Sequence, residues 1–136
     1  MTQVQQPASD EVRCIAERRV LPQSHRSPAQ GRQMVRDVLG DRPGELVETV
    51  EILTSELVTN AVLHARSMPI LHVQATARAI RVAVDDTSFH PPQPRDAPGF
   101  SESGRGLLLV NALASSWGWN RTRTGKAVWF EVHIPT

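Results

Sequence analysis

The chain has one cysteine, Cys14, and one lysine, Lys126, among its 136 residues. A single cysteine excludes an intrachain disulfide and points to a reducing compartment. Nowhere does the sequence approach the roughly 18 consecutive apolar residues of a membrane-spanning helix. Its first residues, Met-Thr-Gln-Val-Gln-Gln-Pro, carry neither the basic n-region nor the apolar h-region of a secretory signal. These absences predict a soluble, cytoplasmic protein with no membrane association. Charge of one sign is missing too, since 15 basic residues stand against 14 acidic ones for a net charge of +1. Direct nucleic-acid binding through phosphate contacts needs a concentrated basic face, and none is expected here. The preference for arginine over lysine reads as genome composition. There is no internal repeat and no linker, and the length suits one domain.

Residues 1–10 are polar and unpatterned and read as a disordered tail ahead of a single domain over 11–136. A first strand is expected around Arg18-Arg19-Val20-Leu21, stopping before Pro22. Ser27-Pro28-Ala29-Gln30 looks like a helix start, with serine as cap, proline at the first helical position and glutamine completing a capping box. Met34, Val35, Val38 and Leu39 give that helix its apolar stripe, and Gly40 with Pro43 ends it. A longer helix is predicted from about Glu45 to Ala65. Leu46, Val50, Leu53, Leu57 and Ala61 mark its buried face, and Glu45, Glu48 and Glu51 favour its N-terminal end.

Two alternating runs follow, Ile70 to Thr76 and Ile80 to Val84, close enough for an antiparallel hairpin. A loop is expected from Thr87 to Ser103, with prolines at 91, 92, 94 and 98. A loop that long in a compact domain is usually functional or mobile. Gly104-Arg105-Gly106 then opens a third helix, Leu107 to Ala114. The chain closes on a hairpin whose strands, Trp117 to Thr122 and Ala127 to Ile134, flank Arg123-Thr-Gly-Lys126. This order predicts an α/β two-layer sandwich, a mixed but mainly antiparallel sheet with about three helices on one face.

Four features could carry chemistry. Glu56 and Asn60 lie one turn apart, beside the buried stripe of Leu53 and Leu57. An amide oxygen there can ligate Mg²⁺, and a carboxylate can take a proton from a nucleophile. By itself the pair reads more readily as a solvated helix face. Asp86 shares a strand face with Val82 and Val84, so its carboxylate needs a partner. The exocyclic amine of a purine would serve, and so would a simple turn cap. Gly104 and Gly106, just before a helix, let backbone N–H groups approach an anion. Arg105 between them either touches a phosphate or is solvated. The histidines His25, His72, His90 and His133 are too scattered for a zinc site. Trp117, Trp119 and Trp129 suit a core or a sheet face rather than a stacking platform.

The conjunction is more specific than its parts, because all these elements fall in order within about fifty residues. Four segments resemble the GHKL-type ATPases, whose fold is that of histidine-kinase-like ATPases. They are Ser55-Glu-Leu-Val-Thr-Asn-Ala-Val-Leu-His-Ala65, Val82-Ala-Val-Asp-Asp86, Gly104-Arg-Gly-Leu-Leu-Leu-Val110 and Gly125-Lys-Ala-Val-Trp-Phe130. The likeness is greatest to the anti-sigma-factor serine kinases and the short ATP-binding regulators of actinobacteria. It implies ATP and Mg²⁺ as cofactors. Glu56 then matches the catalytic base, Asn60 the Mg²⁺ ligand, and Asp86 the aspartate that accepts from the adenine amine. Gly104 and Gly106 match the lid-to-helix junction at the phosphates, with Arg105 and Leu107 beside them. His64 matches a His-Ala pair of the group and reads as a packed histidine at the helix end.

Two departures stand out. The family's aspartate is usually followed by Asp-x-Gly-x-Gly, whereas this chain has Asp86-Thr-Ser-Phe-His90. The closing hairpin of the family often carries a threonine, a support for the aspartate, where this chain has Ala127. The resemblance implies an anti-sigma factor and protein serine/threonine kinase, with a sigma factor or a serine-bearing anti-sigma-factor antagonist as partner, and it admits a homodimer. A non-catalytic module that sequesters its partner is the alternative. A histidine-kinase ATPase domain is a third; with no room for a phospho-accepting helical segment, it is expected to act only in trans.

Overall fold

The computed structural model describes residues 14–65, 67–92 and 101–135, with side chains described for all of these except residues 65 and 101–106. Strand β1 is Ile15–Val20, and helices α1 and α2 are Ser27–Leu39 and Gly44–Asn60. A single π-helical turn, Ala61–Ala65, continues α2. The hairpin β2 (Ile70–Ala75) and β3 (Ala79–Asp86) follows, then helix α3 (Ser101–Leu113) and the hairpin β4 (Ser116–Arg121) and β5 (Lys126–His133). The five strands form one sheet in the order β1-β2-β3-β5-β4. Every pairing is antiparallel, so the mixed component expected from the sequence is not needed.

Strict alternation builds the inner face of this sheet. Leu71, Val73, Ile80, Val82, Val84, Val128 and Phe130 are buried, and they meet Val35, Leu39, Val50, Leu53, Leu57 and Val58 of the helices in one core. On α2 the predicted stripe holds, with Val50, Leu53, Leu57 and Ala61 buried and Leu46 packed against the core. Gly31 lets α1 lie close, because a Cβ there would already touch Leu71 and Val58 side chains at 3.4 Å. Among the described residues, no helix is long and apolar enough to cross a membrane.

Some local expectations change. β1 is longer than expected and ends before Leu21, which turns into the core and donates its N–H to Pro69 at 2.8 Å. All six β1 residues are exposed, so no alternation marked the strand; pairing with β2 defines it. The capping box does not form. Ser27 is the first helical residue rather than the cap, and its buried hydroxyl donates to the Pro22 carbonyl. Gly40 does end α1, with φ of 56° and its N–H on the Arg36 carbonyl. Helix α3 begins at Ser101, so Gly104 and Gly106 fall inside its first two turns instead of opening it. Serine and glutamate at 101–103 can begin a helix, so a glycine is not required there. The expected tail and residues 93–100 of the predicted loop lie outside the described residues.

Candidate nucleotide-binding site

Asp86 is the last residue of β3 and points inward, in line with Val82 and Val84, with 7% of its surface exposed. The antiparallel register sets Lys126, the first residue of β5, directly opposite it. The Lys126 ammonium lies 3.0 Å from both Asp86 carboxylate oxygens, and both side chains are buried. Burying one such charge alone would be costly, whereas the pair compensates itself. Gly125 makes the approach possible. A Cβ at that position would collide with the Asp86 carbonyl and come within 2.6 Å of Thr87 Cα, so only glycine fits there. Beyond β3, Asp86 Oδ1 accepts the Ser88 N–H at 2.9 Å, turning the chain back over the pocket. Arg121 on β4 donates to the Phe89 carbonyl at 3.0 Å, tethering the same loop.

These elements enclose a cavity of about 140 Å³. Leu57, Asn60 and His64 line it from the helix side, Val84 and Asp86 from β3, and Lys126 and Val128 from β5. Ser88, His90, Pro91 and Pro92 of the loop complete it. Leu57, Val84 and Val128 give the walls apolar patches, His64, Ser88 and His90 add polar groups, and two further polar features stand out. One is the Asp86–Lys126 pair. The other is Asn60, whose side-chain oxygen is buried with no hydrogen-bond partner. A buried acceptor left without a donor costs roughly 1–3 kcal/mol. Thr54 Oγ1 is also buried and unpaired, but it does not line the cavity. An orphaned carbonyl oxygen on a residue that lines a pocket is a fit for a hard cation, which binds oxygen donors and keeps several waters.

The structure thus brings Asn60 and Asp86 to one pocket. Glu56 stands half-buried one turn before Asn60 on α2 and is not part of the cavity wall. The π turn after Asn60 widens the helix and sets His64 in the wall; the sequence placed it as a packed end residue. Leu107 is 1% exposed, its side chain in the core, so only its backbone can face a ligand. The side chain of Arg105, between Gly104 and Gly106, lies outside the described residues. Ala127, named from the sequence as the missing support of Asp86, pairs with Asp85 instead and faces away from the pocket. The residue in the supporting position is Lys126, which sequence reasoning passed over as mere composition. Strand register was the signal that would have found it. Trp117 and Trp119 pack against the core, and Trp129 lies on the outer face beneath Arg81, as expected for sheet residues.

The family model for the histidine kinase-like ATPase domain matches residues 4–132. The chain belongs to this family. Its antiparallel sheet with three helices is the fold of a histidine-kinase-like ATPase domain. Among solved structures, the Erythrobacter litoralis EL346 blue-light activated histidine kinase is similar at 23% identity with a TM-score of 0.48. That match covers 76% of this chain and 39% of the kinase chain, so this domain corresponds to well under half of that protein. No curated protein matches the chain.

Proposed function

We propose that this chain is an ATP-binding regulatory protein that acts as a protein serine/threonine kinase and anti-sigma factor. Its substrate would be a serine hydroxyl on an anti-sigma-factor antagonist. The observation that carries the nucleotide reading is the buried, unpartnered side-chain oxygen of Asn60, a residue that lines the same pocket as Asp86. At about 140 Å³ the cavity is smaller than the roughly 300–1,000 Å³ of a drug-sized ligand pocket, so a bound nucleotide would extend beyond it. Asp86 at the deep end accepts from the adenine amine, and Val84, Val128 and Leu57 provide apolar walls for the ring. Asn60 is the protein's oxygen donor to Mg²⁺. Bound Mg-ATP supplies a transferable γ-phosphoryl group with its charge partly neutralised.

Glu56, one turn along α2, takes the proton of the attacking hydroxyl. Positioning and charge stabilisation do most of the work in such a transfer. Phosphate transfer from radiolabelled ATP to a purified antagonist protein tests this. Glu56→Ala is expected to lower the rate by roughly 10²–10⁴-fold, the usual contribution of a positioned general base. An undiminished rate would remove Glu56 from that role.

One observation favours the second reading, a module that sequesters its partner with ATP as a structural ligand. The Asp86 carboxylate is already neutralised by Lys126, so its burial does not depend on a nucleotide. In that case ATP binds and no phosphate is transferred to any partner.

A further inference from the structure

We infer that Lys126 is a specificity-determining residue of the base pocket, donating to the ring nitrogen that neighbours the amine held by Asp86. This rests on the nucleotide reading above and adds to it a second recognition contact, one that a threonine at the same place could not make as a cation. A carboxylate offers about four acceptor positions. In this pocket Oδ1 receives the Ser88 N–H and Lys126, and Oδ2 receives Lys126 alone, which leaves a place on Oδ2 for an incoming donor. The ammonium has three N–H donors, and Asp86 is the acceptor the structure gives it, so at least one N–H is available. Both groups line the same cavity at its polar floor.

The floor therefore presents an acceptor and a donor side by side. A 6-aminopurine shows the complementary order along one edge, an amine that donates and a ring nitrogen, N1, that accepts. Guanine shows the reverse, a carbonyl oxygen that accepts and an N1–H that donates. In the orientation that suits adenine it sets oxygen against carboxylate and N–H against ammonium. Like-charge juxtapositions of this kind are how a pocket refuses a wrong ligand. The pair also explains why Asp86 can be so deeply buried before any base arrives. Gly125 fixes the geometry, since the β3 and β5 backbones must be in contact for Lys126 to face Asp86.

The experiment compares ATP with 1-deaza-ATP, in which C–H replaces N1, by calorimetry on the wild type and on Lys126→Met. A hydrogen bond from a charged donor predicts that wild type loses at least about tenfold in affinity on the N1 change. Lys126→Met should bind the two nucleotides equally. Equal losses in both proteins, or none in either, would overturn the inference while leaving ATP binding intact. Failure of wild type to bind any adenine nucleotide would instead overturn the nucleotide reading and this with it.

Should Lys126→Met not fold, wild type alone decides. Lys126 is the chain's only lysine, so ¹⁵N-lysine labelling gives a single side-chain ammonium signal. That signal should move on adding ATP and move much less with 1-deaza-ATP. An unmoved signal under saturating ATP, or identical shifts with both, would contradict a contact at N1. GTP is expected to bind wild type at least about tenfold more weakly than ATP; equal affinity would remove the claim of specificity.

Discussion

Asp85 and Asp86 are consecutive residues of β3, one on each face of the sheet, and each meets a basic residue on a neighbouring strand. Outside, Asp85 pairs with His72 of β2 at 3.1 Å, with side chains 36% and 38% exposed. Inside, Asp86 pairs with Lys126 of β5 at 3.0 Å, with side chains 4% and 8% exposed. The distances are alike; the surroundings are not. Water screens the outer pair and can replace either partner, so its contribution is small. The inner pair has no such substitute, and each charge depends on the other. What differs is therefore the consequence of losing a partner. That dependence is what keeps two formal charges poised together in the pocket.

The largest expected effect follows from breaking the inner pair on one side only. Asp86→Leu or Lys126→Met alone should destabilise the domain by about 3–5 kcal/mol, because each strands a buried charge. The double variant should recover most of that loss, since an apolar pair of similar volume replaces a desolvated one. Urea denaturation of the four proteins provides the cycle. Additive losses would mean that the two groups are not coupled and that the comparison fails. At the small end, His72→Gln and Asp85→Asn should each change stability by less than about 1 kcal/mol at moderate salt. A loss near that of the inner pair would show that burial does not separate the two faces.

The same contrast explains what could be read from the sequence. Alternation wrote the inner face of β2, β3 and β5 plainly, because Leu71, Val73, Ile80, Val82, Val84, Val128 and Phe130 must all be buried. The stripe on α2 was equally legible, whereas the placing of Asn60 at the pocket came from the order of the motifs and the resemblance they carry. β1 was only half legible, since an edge strand exposed along its length has no period to show. The start of α3 was misjudged because glycine was read as punctuation where the chain is already helical. Lys126 was missed for another reason. Its role depends on which residue of β5 lies across from Asp86, and β5 follows β3 only after a long intervening segment. A shift of one residue exchanges the two faces, and the resemblance had set the family's threonine at Ala127, one residue away from the true partner. The π turn that brings His64 into the wall has no periodic signature either.

The central claim is that Asn60 and Asp86 define two ends of one nucleotide site, a metal end and a base end. Calorimetric titration of ATP with and without Mg²⁺, on wild type and Asn60→Leu, tests it most directly. Wild type should gain at least roughly tenfold in affinity from Mg²⁺, about 1.4 kcal/mol. Asn60→Leu should lose that gain while keeping its Mg²⁺-free affinity, because the base end is untouched. An unchanged response to Mg²⁺ in the variant would contradict the account.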